Sequence, residues 1–454
     1  MKITVIKVSM FEGKCHDALK PLIFPILANL TPDGIELEFL DDRVEKLPHV
    51  LTSDIIALSF DTFSAKRAYQ LAKKYKKKDN IIVLGGFHAS LLKEEAGAYG
   101  DVVIVGDAED TWPRFIEDVL NGQVKPEYVS DRTSDFAPVD MNHLSFKGKR
   151  YQRLGLAQFS RGCRFGCDFC SIKAMYPGKV RQAEISRVVD EIKAAKEKII
   201  FFIDDNLFVD EEAAISLCKA LKPLKKKWAC QISMDAALNN KLLAHMKESG
   251  CLMVLMGFES LNRKNLERMN KSANLAIGEY DRAVANIYRH GMLIYATFVL
   301  GYDEDTAESF IEVLSFAMKN NFTVANFNPL IPMPGTPLYK RLEQEGRLIY
   351  DKWWLSEVYH YGDTAYHPKQ LSPEELKEGC KSVRYRFYGA RSILKRLFSG
   401  GIHLRPYSFF LFMALNIISN REIHRKQGRL LGDTTNEAGF DKTQYRQERA
   451  QSVR

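Results

Sequence analysis

Along the first 120 residues, short uniformly apolar runs alternate with stretches of helical periodicity. ITVIKV, IELEFL, DIIALSF, NIIVLGG and DVVIVG have the length and β-branched content of strands, whereas residues 18–30, 65–75 and 112–120 carry helical spacing. Strands that are apolar on both faces and joined by helices predict a parallel sheet covered on both sides. Residues 1–125 are therefore expected to form a doubly wound, Rossmann-like domain. Residues 126–150, rich in Asp, Ser and Pro and without periodicity, read as a linker.

From Leu154 a second alternation begins: LGLAQFS, KIIFFID, WACQISM, CLMVLMGFE, LIYATFVLG and TVANFNPLIP, with helical spacing near 185–197, 211–221, 240–249, 276–290 and 306–320. Strands and helices in strict succession fit a partial (β/α)6 barrel over residues 151–340, whose chemistry belongs at the C-terminal ends of its strands. After PMPGTPLY, residues 341–432 crowd Trp353, Trp354, Tyr359, Tyr361, Tyr385, Phe387 and Tyr388 into a charged segment expected to be mostly helical. Residues 433–454 read as a polar, disordered tail. No fixed-period repeat is visible.

Composition narrows the class. A hydrophobic content of 46% over 454 residues supports more than one core. The excess of 65 Lys and Arg over 57 Asp and Glu is mild, and the runs at 73–78 and 225–227 read as solvated helix faces, so no nucleic-acid partner is expected. Eight cysteines are too few for a disulfide scaffold in a chain of this length, which points to a reduced, cytoplasmic protein. MKITVIKVSMF lacks a signal-peptide pattern. The apolar stretch 407–419 is shorter than the roughly 20 residues of a spanning helix, leaving a buried or interfacial helix.

Three of the cysteines, Cys163, Cys167 and Cys170, form a Cys-x-x-x-Cys-x-x-Cys run directly after the first barrel strand. Closely spaced thiolates on one loop suit an iron–sulfur cluster, and three ligands leave one iron open to a small molecule. A structural zinc ion needs a fourth ligand, for which only the distant Cys218 or the upstream His143 offer themselves. A Cys167–Cys170 redox disulfide would leave Cys163 unexplained.

This run, in this position, resembles the radical S-adenosylmethionine superfamily. The resemblance implies a 4Fe-4S cluster whose open iron chelates S-adenosyl-L-methionine, reductive cleavage to a 5′-deoxyadenosyl radical, and an external electron donor. Phe169 matches the family's aromatic beside the last ligand. Asp204 and Asp205, ending the second barrel strand, match a polar motif that reaches the methionine amine, although Asp at such a place is also a common helix cap. Glu259 ends the fourth strand, toward ribose or substrate, or simply solvated. Gly301 ends the fifth, where the family's backbone passes the adenine.

In the first domain the phosphate fingerprint G-x-G-x-x-G is absent, which disfavours a dinucleotide. Three strand ends instead carry small and polar residues: Ser59, Asp61 and Thr62; Gly85, Gly86, Phe87 and His88; Gly106, Asp107 and Glu109. Glycine-rich loops side by side make a ledge suited to a broad planar ligand. LGGFHASLLKEEA followed by VVIVGDAEDTWP is similar to the cobalamin-binding domain fused ahead of many radical enzymes. An Asp-x-His-x-x-Gly motif that would ligate cobalt is missing: His16 precedes Asp17 in the wrong order and His88 lies in another loop, so the resemblance implies a lower face resting on apolar or small side chains, with His88 as cobalt ligand the alternative. The resemblance implies methyl transfer by way of methylcobalamin to an unactivated carbon, with cobalamin-dependent oxidation or cyclisation, or a non-catalytic iron–sulfur and corrinoid sensor, as alternatives. The aromatic, basic C-terminal region resembles tails of relatives acting on polycyclic or lipid-like small molecules, which implies a hydrophobic substrate and a membrane-peripheral location.

Overall fold

The computed structural model describes residues 1–434 apart from 14, 140, 142, 143, 145, 147, 179, 276 and 400. His143 and most of the segment read as a disordered tail thus lie outside the described residues.

The first domain is a six-stranded, wholly parallel sheet in the order β2-β1-β3-β4-β5-β6. Its strands are β1 (Lys2–Lys7), β2 (Glu36–Asp41), β3 (Ile55–Ser59), β4 (Ile81–Gly85), β5 (Val102–Val105) and β6 (Glu127–Val129). Burial on both faces explains the unbroken apolar runs: Ile6, Ile56, Leu58 and Leu84 pack to one side, and Ile3, Val5, Val83 and Val102 to the other. The helix expected over 18–30 begins only at Ile23, because Pro21 disfavours helical backbone at Lys20. The stretch read as a linker opens with β6, an edge strand of three residues, too short to show a period.

The second domain is also parallel, in the order β14-β13-β12-β11-β10-β7. It comprises β7 (Gly155–Ala157), β10 (Ile199–Phe202), β11 (Lys227–Ile232), β12 (Cys251–Glu259), β13 (Leu293–Leu300) and β14 (Val324–Pro329). Each strand pairs with its chain neighbour, and β7 and β14 form opposite edges, which makes an open, partial barrel. Along β13, Ile294, Ala296 and Phe298 are buried against the outer helices, while Tyr295, Thr297 and Val299 alternate with them, half-exposed toward the lumen. A small antiparallel pair, β8 (Ser160–Arg161) with β9 (Arg181–Gln182), brackets the cysteine loop.

The C-terminal region contributes helices Pro337–Gln344, Pro373–Tyr388, Ala390–Phe398 and Pro406–Lys426, of which Pro373–Tyr388 and Pro406–Lys426 pack on β14. The aromatic stretch between the first two is not a helix. Trp353, Trp354 and Tyr359 leave the barrel and insert into the core of the first domain beside Tyr69 and Ala65. This segment fastens the two domains from behind. No described helix is long and apolar enough to cross a membrane.

Candidate functional site

Cysteine loop and domain ledge meet at the interface. Arg161, two residues before Cys163, grips Glu109 with two hydrogen bonds, Nη1 to Oε2 at 3.0 Å and Nη2 to Oε1 at 2.7 Å. Asp107 accepts from Tyr176 at 2.8 Å and pairs with Arg181. Phe136, from the chain between the domains, lies under the guanidinium groups of Arg161, Arg181 and Arg187 at 4.4, 5.3 and 5.7 Å from its ring centre. The C-terminal edge of β5 is thereby held against the entrance to the cysteine loop. Asp107 and Glu109, expected to contact a cofactor, spend their charges on this junction.

The loop itself is pinned from the barrel. Asp204 is buried and accepts from Phe159 N at 3.1 Å, from Ser160 Oγ at 2.7 Å and from Ser160 N. Burial pushes its carboxyl up to about 7 even against those hydrogen bonds. Asp205 accepts from Gly162 N at 2.9 Å. Neither residue caps the next helix, since Asp210 does so by accepting from Ala213 N at 2.7 Å. The pair thus fixes the backbone that presents the cysteines. Phe169 packs against the barrel core, an anchor for the loop's far end.

All eight cysteines are free thiols. Burial raises the thiol of Cys167 to about 11 and that of Cys170 upward, with Lys271 opposing the shift in both. Cys163, Cys167 and Cys170 all lie on the single segment between β8 and β9. Yet among the described residues they do not form a group whose ligand atoms all lie within 4.8 Å, as a single ion would require. Three thiolates on one loop suit a cluster with one iron left open, whereas a structural zinc ion needs a fourth ligand. Cys218 is buried in the barrel core beside Cys230 and Cys251, away from the loop.

Glu259 is not solvated. It is 7% exposed, sits at the end of β12 with φ of 62° beside a register shift, and pairs with Lys271 at 2.9 Å. A Cβ on Gly257 would stand 2.1 Å from its carboxylate, so that glycine makes room for it. A buried charge on strained backbone next to the cysteines is a feature that folding alone does not favour. Lys271 carried no signal in sequence and was missed; so was Arg161. Gly301 does not face the lumen freely: a Cβ there would meet Leu376 at 2.3 Å and the Tyr366 hydroxyl at 2.6 Å, so its turn is packed under the C-terminal region.

On the ledge, Ser59, Gly85, Gly86, Gly106, Asp107 and Glu109 line one cavity of about 180 Å³ that runs between the sheet and helix Ile23–Leu30. Arg161 closes its barrel side. Gly86 and Gly106, at φ of 103° and 91°, are required by the chain itself, since Cβ atoms would strike Phe60 O at 2.6 Å and Ser130 Cβ at 2.8 Å. Their smallness leaves the floor low. Asp61 turns away to accept from Ser64 N at 3.1 Å, and Phe87 starts a short helix without lining the cavity.

His88, the alternative cobalt ligand, is committed elsewhere. It is fully buried, its Nδ1 sharing a hydrogen bond with Thr62 Oγ1 at 3.2 Å and its Nε2 with Glu95 Oε1 at 3.0 Å. Glu95 also accepts from Tyr69 and from Trp354 and pairs with Lys352; burial raises its carboxyl, but His88, Lys352 and Trp354 hold it down to about 2. Thr62 and His88 are parts of the domain junction.

Comparison with known proteins agrees with this architecture. Residues 157–317 match the family model of the radical SAM superfamily. The bacteriochlorophyllide d C-12(1)-methyltransferase of Chlorobaculum tepidum is 30% identical over 83% of this chain and 84% of its own. The anaerobic magnesium-protoporphyrin IX monomethyl ester cyclase of Rubrivivax gelatinosus is 23% identical over 83% of this chain and 73% of its own. Among solved structures, the radical S-adenosylmethionine methyltransferase TsrM of Kitasatospora setae, with cobalamin and a 4Fe-4S cluster bound, shares the fold at a TM-score of 0.60, 14% identity, covering 83% of this chain and 81% of that one. The chain belongs to the radical SAM superfamily, and its domain layout is that of cobalamin-dependent members.

Proposed function

We propose that the chain is a cobalamin-dependent radical enzyme that methylates an unactivated carbon of a hydrophobic, polycyclic or lipid-like small molecule. The observation that carries this reading is the junction itself: the ledge cavity and the cysteine loop share Arg161, so whatever lies on the ledge is held beside whatever the cysteines bind. A methyltransferase relative that spans nearly the whole chain supports the choice of reaction.

Cys163, Cys167 and Cys170 would hold the 4Fe-4S cluster, and the half-exposed lumen positions would receive S-adenosyl-L-methionine. Ser59, Gly85, Gly86 and Gly106, which line the ledge cavity, would carry the corrinoid. When bound, these cofactors supply the electron that cleaves S-adenosylmethionine and the methyl group that is delivered. The protein's part is placement. Asp204 and Asp205 fix the loop backbone, Arg161 and Glu109 fix the separation of the two domains, and the Glu259–Lys271 pair sets the charge beside the thiols. Confining both reactive groups to the junction of the two domains would exclude water from a radical.

A second reading, cobalamin-dependent cyclisation or oxidation, is favoured by the cyclase relative. Anaerobic reconstitution with iron, sulfide and hydroxocobalamin tests the shared part: bound corrinoid together with reductant-dependent formation of 5′-deoxyadenosine is expected. A fully loaded cluster that yields no 5′-deoxyadenosine would refute it and leave the sensor alternative.

A further inference from the structure

We propose that the C-terminal helical pair is a monotopic docking surface for an anionic lipid bilayer. Six large apolar side chains of this one stretch stand in solvent: Leu394 at 55%, Phe398 at 67%, Leu404 at 49%, Tyr407 at 55%, Phe410 at 72% and Ile417 at 46% exposure. Isolated exposed hydrophobics need no explanation, but a concentration of them does.

The helix Pro406–Lys426 is apolar on two faces, with Phe412, Leu415 and Ile423 packed inward and Tyr407, Phe410 and Ile417 outward. Its buried face is in part polar, with Ser408, Asn416 and Glu422 inward, while Tyr407 and Phe410 face water. The arrangement is rigid. Arg396, fully buried between the helices, donates to Phe322 O at 2.9 Å, Phe387 O at 2.9 Å and Asn416 Oδ1 at 3.0 Å, and its guanidinium lies 3.8 Å from the Phe387 ring centre. Asn416 in turn donates to Thr323 O at 3.1 Å, and His403 bonds Thr323 Oγ1 at 3.0 Å. The polar groups that would normally face outward are consumed in holding the apolar ridge up.

Charge selects the occupant. Residues 379–421 contain eight Lys and Arg and no Asp or Glu, so the other 57 Lys and Arg balance the 57 Asp and Glu, and the chain's whole excess of +8 lies here. Arg391, Lys395, Arg405 and Arg421 are exposed around the ridge. Arg405 stands close to Lys247, whose ammonium is pushed toward its neutral form by burial and by the charges of Arg405 and Lys227. A second copy of this chain would bring a like-charged surface against it, which disfavours a symmetric dimer. Aromatic and aliphatic side chains ringed by cations fit the boundary between acyl chains and acidic headgroups.

Flotation of the reconstituted full chain with vesicles of phosphatidylcholine and phosphatidylglycerol in equal parts tests this. Cofloating that fails on phosphatidylcholine alone and falls with added salt is expected. Arg391→Glu with Lys395→Glu, and separately Phe398→Ser with Phe410→Ser, should each lower the bound fraction by about tenfold or more. Circular dichroism and 5′-deoxyadenosine formation should be unchanged, which separates loss of docking from loss of the catalytic reading. Absence of binding to the anionic vesicles, binding indifferent to both double variants, or light scattering that shows a dimer abolished by the Phe398→Ser/Phe410→Ser pair would each overturn it.

Discussion

Arg161 and Glu109 form a two-pronged ion pair, 2.7 and 3.0 Å, between the cysteine loop of one domain and the ledge of the other. Both side chains are nearly buried, at 11% and 4% exposure. Removing one partner strands a charge in the interface, which typically costs about 3–5 kcal/mol. Arg161→Ala and Glu109→Ala should therefore each lower the midpoint of denaturant unfolding, and the double variant should lose less than the sum. Additive losses would show that the pair does not couple the domains.

Asp204 makes stability depend on pH. Its carboxyl titrates near about 7 in the folded chain and near the ordinary 3.8 when unfolded, so between these values the folded state binds more protons. Stability then falls as pH rises through this window, by roughly 4 kcal/mol if the full shift is expressed. Asp204→Asn should flatten that slope in the apoprotein, as read by urea melts from pH 4 to 7. A slope unchanged in the variant would assign the effect elsewhere.

Trp354 and His88 both contact Glu95, which ties the aromatic segment behind the barrel to the first domain. Trp354→Ala should cost about 3–5 kcal/mol through lost packing. His88→Ala should destabilise by about 1–3 kcal/mol through its lost hydrogen bonds to Thr62 and Glu95. In the cobalamin-loaded protein the electron paramagnetic resonance of cobalt(II) should show no nitrogen coupling from a protein imidazole, and His88→Ala should leave the spectrum alone. Nitrogen coupling that disappears in that variant would restore His88 as a ligand.

Glu259→Gln should leave the fold standing, because the isosteric amide still fits beside Gly257, but it removes the counter-charge of Lys271 next to the thiols. The expected result is a changed cluster midpoint potential with iron content preserved. An unaltered potential would make the pair structural only.

Much of the architecture was legible because burial on two faces writes long apolar runs into a parallel strand. The helix expected at 65–75 appears with those bounds, and all six barrel strands fall where the alternation placed them. β6, β8 and β9 escaped notice because two or three residues cannot display a period. The aromatic segment round Trp353 read as helical since its charge and bulk resemble an amphipathic helix; only its insertion into the other domain explains it. Cys163, Cys167 and Cys170 were visible because ligand spacing is local. Arg161 and the true partners of Asp107 and Asp204 were not, because each pair is separated by more than forty positions, and those of His88 and Lys271, though only seven and twelve residues away at Glu95 and Glu259, depend on how the loops turn.

The central claim is that one lumen serves both cysteine-bound and ledge-bound chemistry. The direct measurement is product analysis of the anaerobic, cluster- and cobalamin-loaded protein with S-adenosylmethionine, reductant and a candidate hydrophobic acceptor. Formation of both 5′-deoxyadenosine and S-adenosylhomocysteine, with Cys163→Ala abolishing the deoxyadenosine, is the predicted result. Deoxyadenosine formed in full, with no S-adenosylhomocysteine and no dependence on cobalamin, would contradict it.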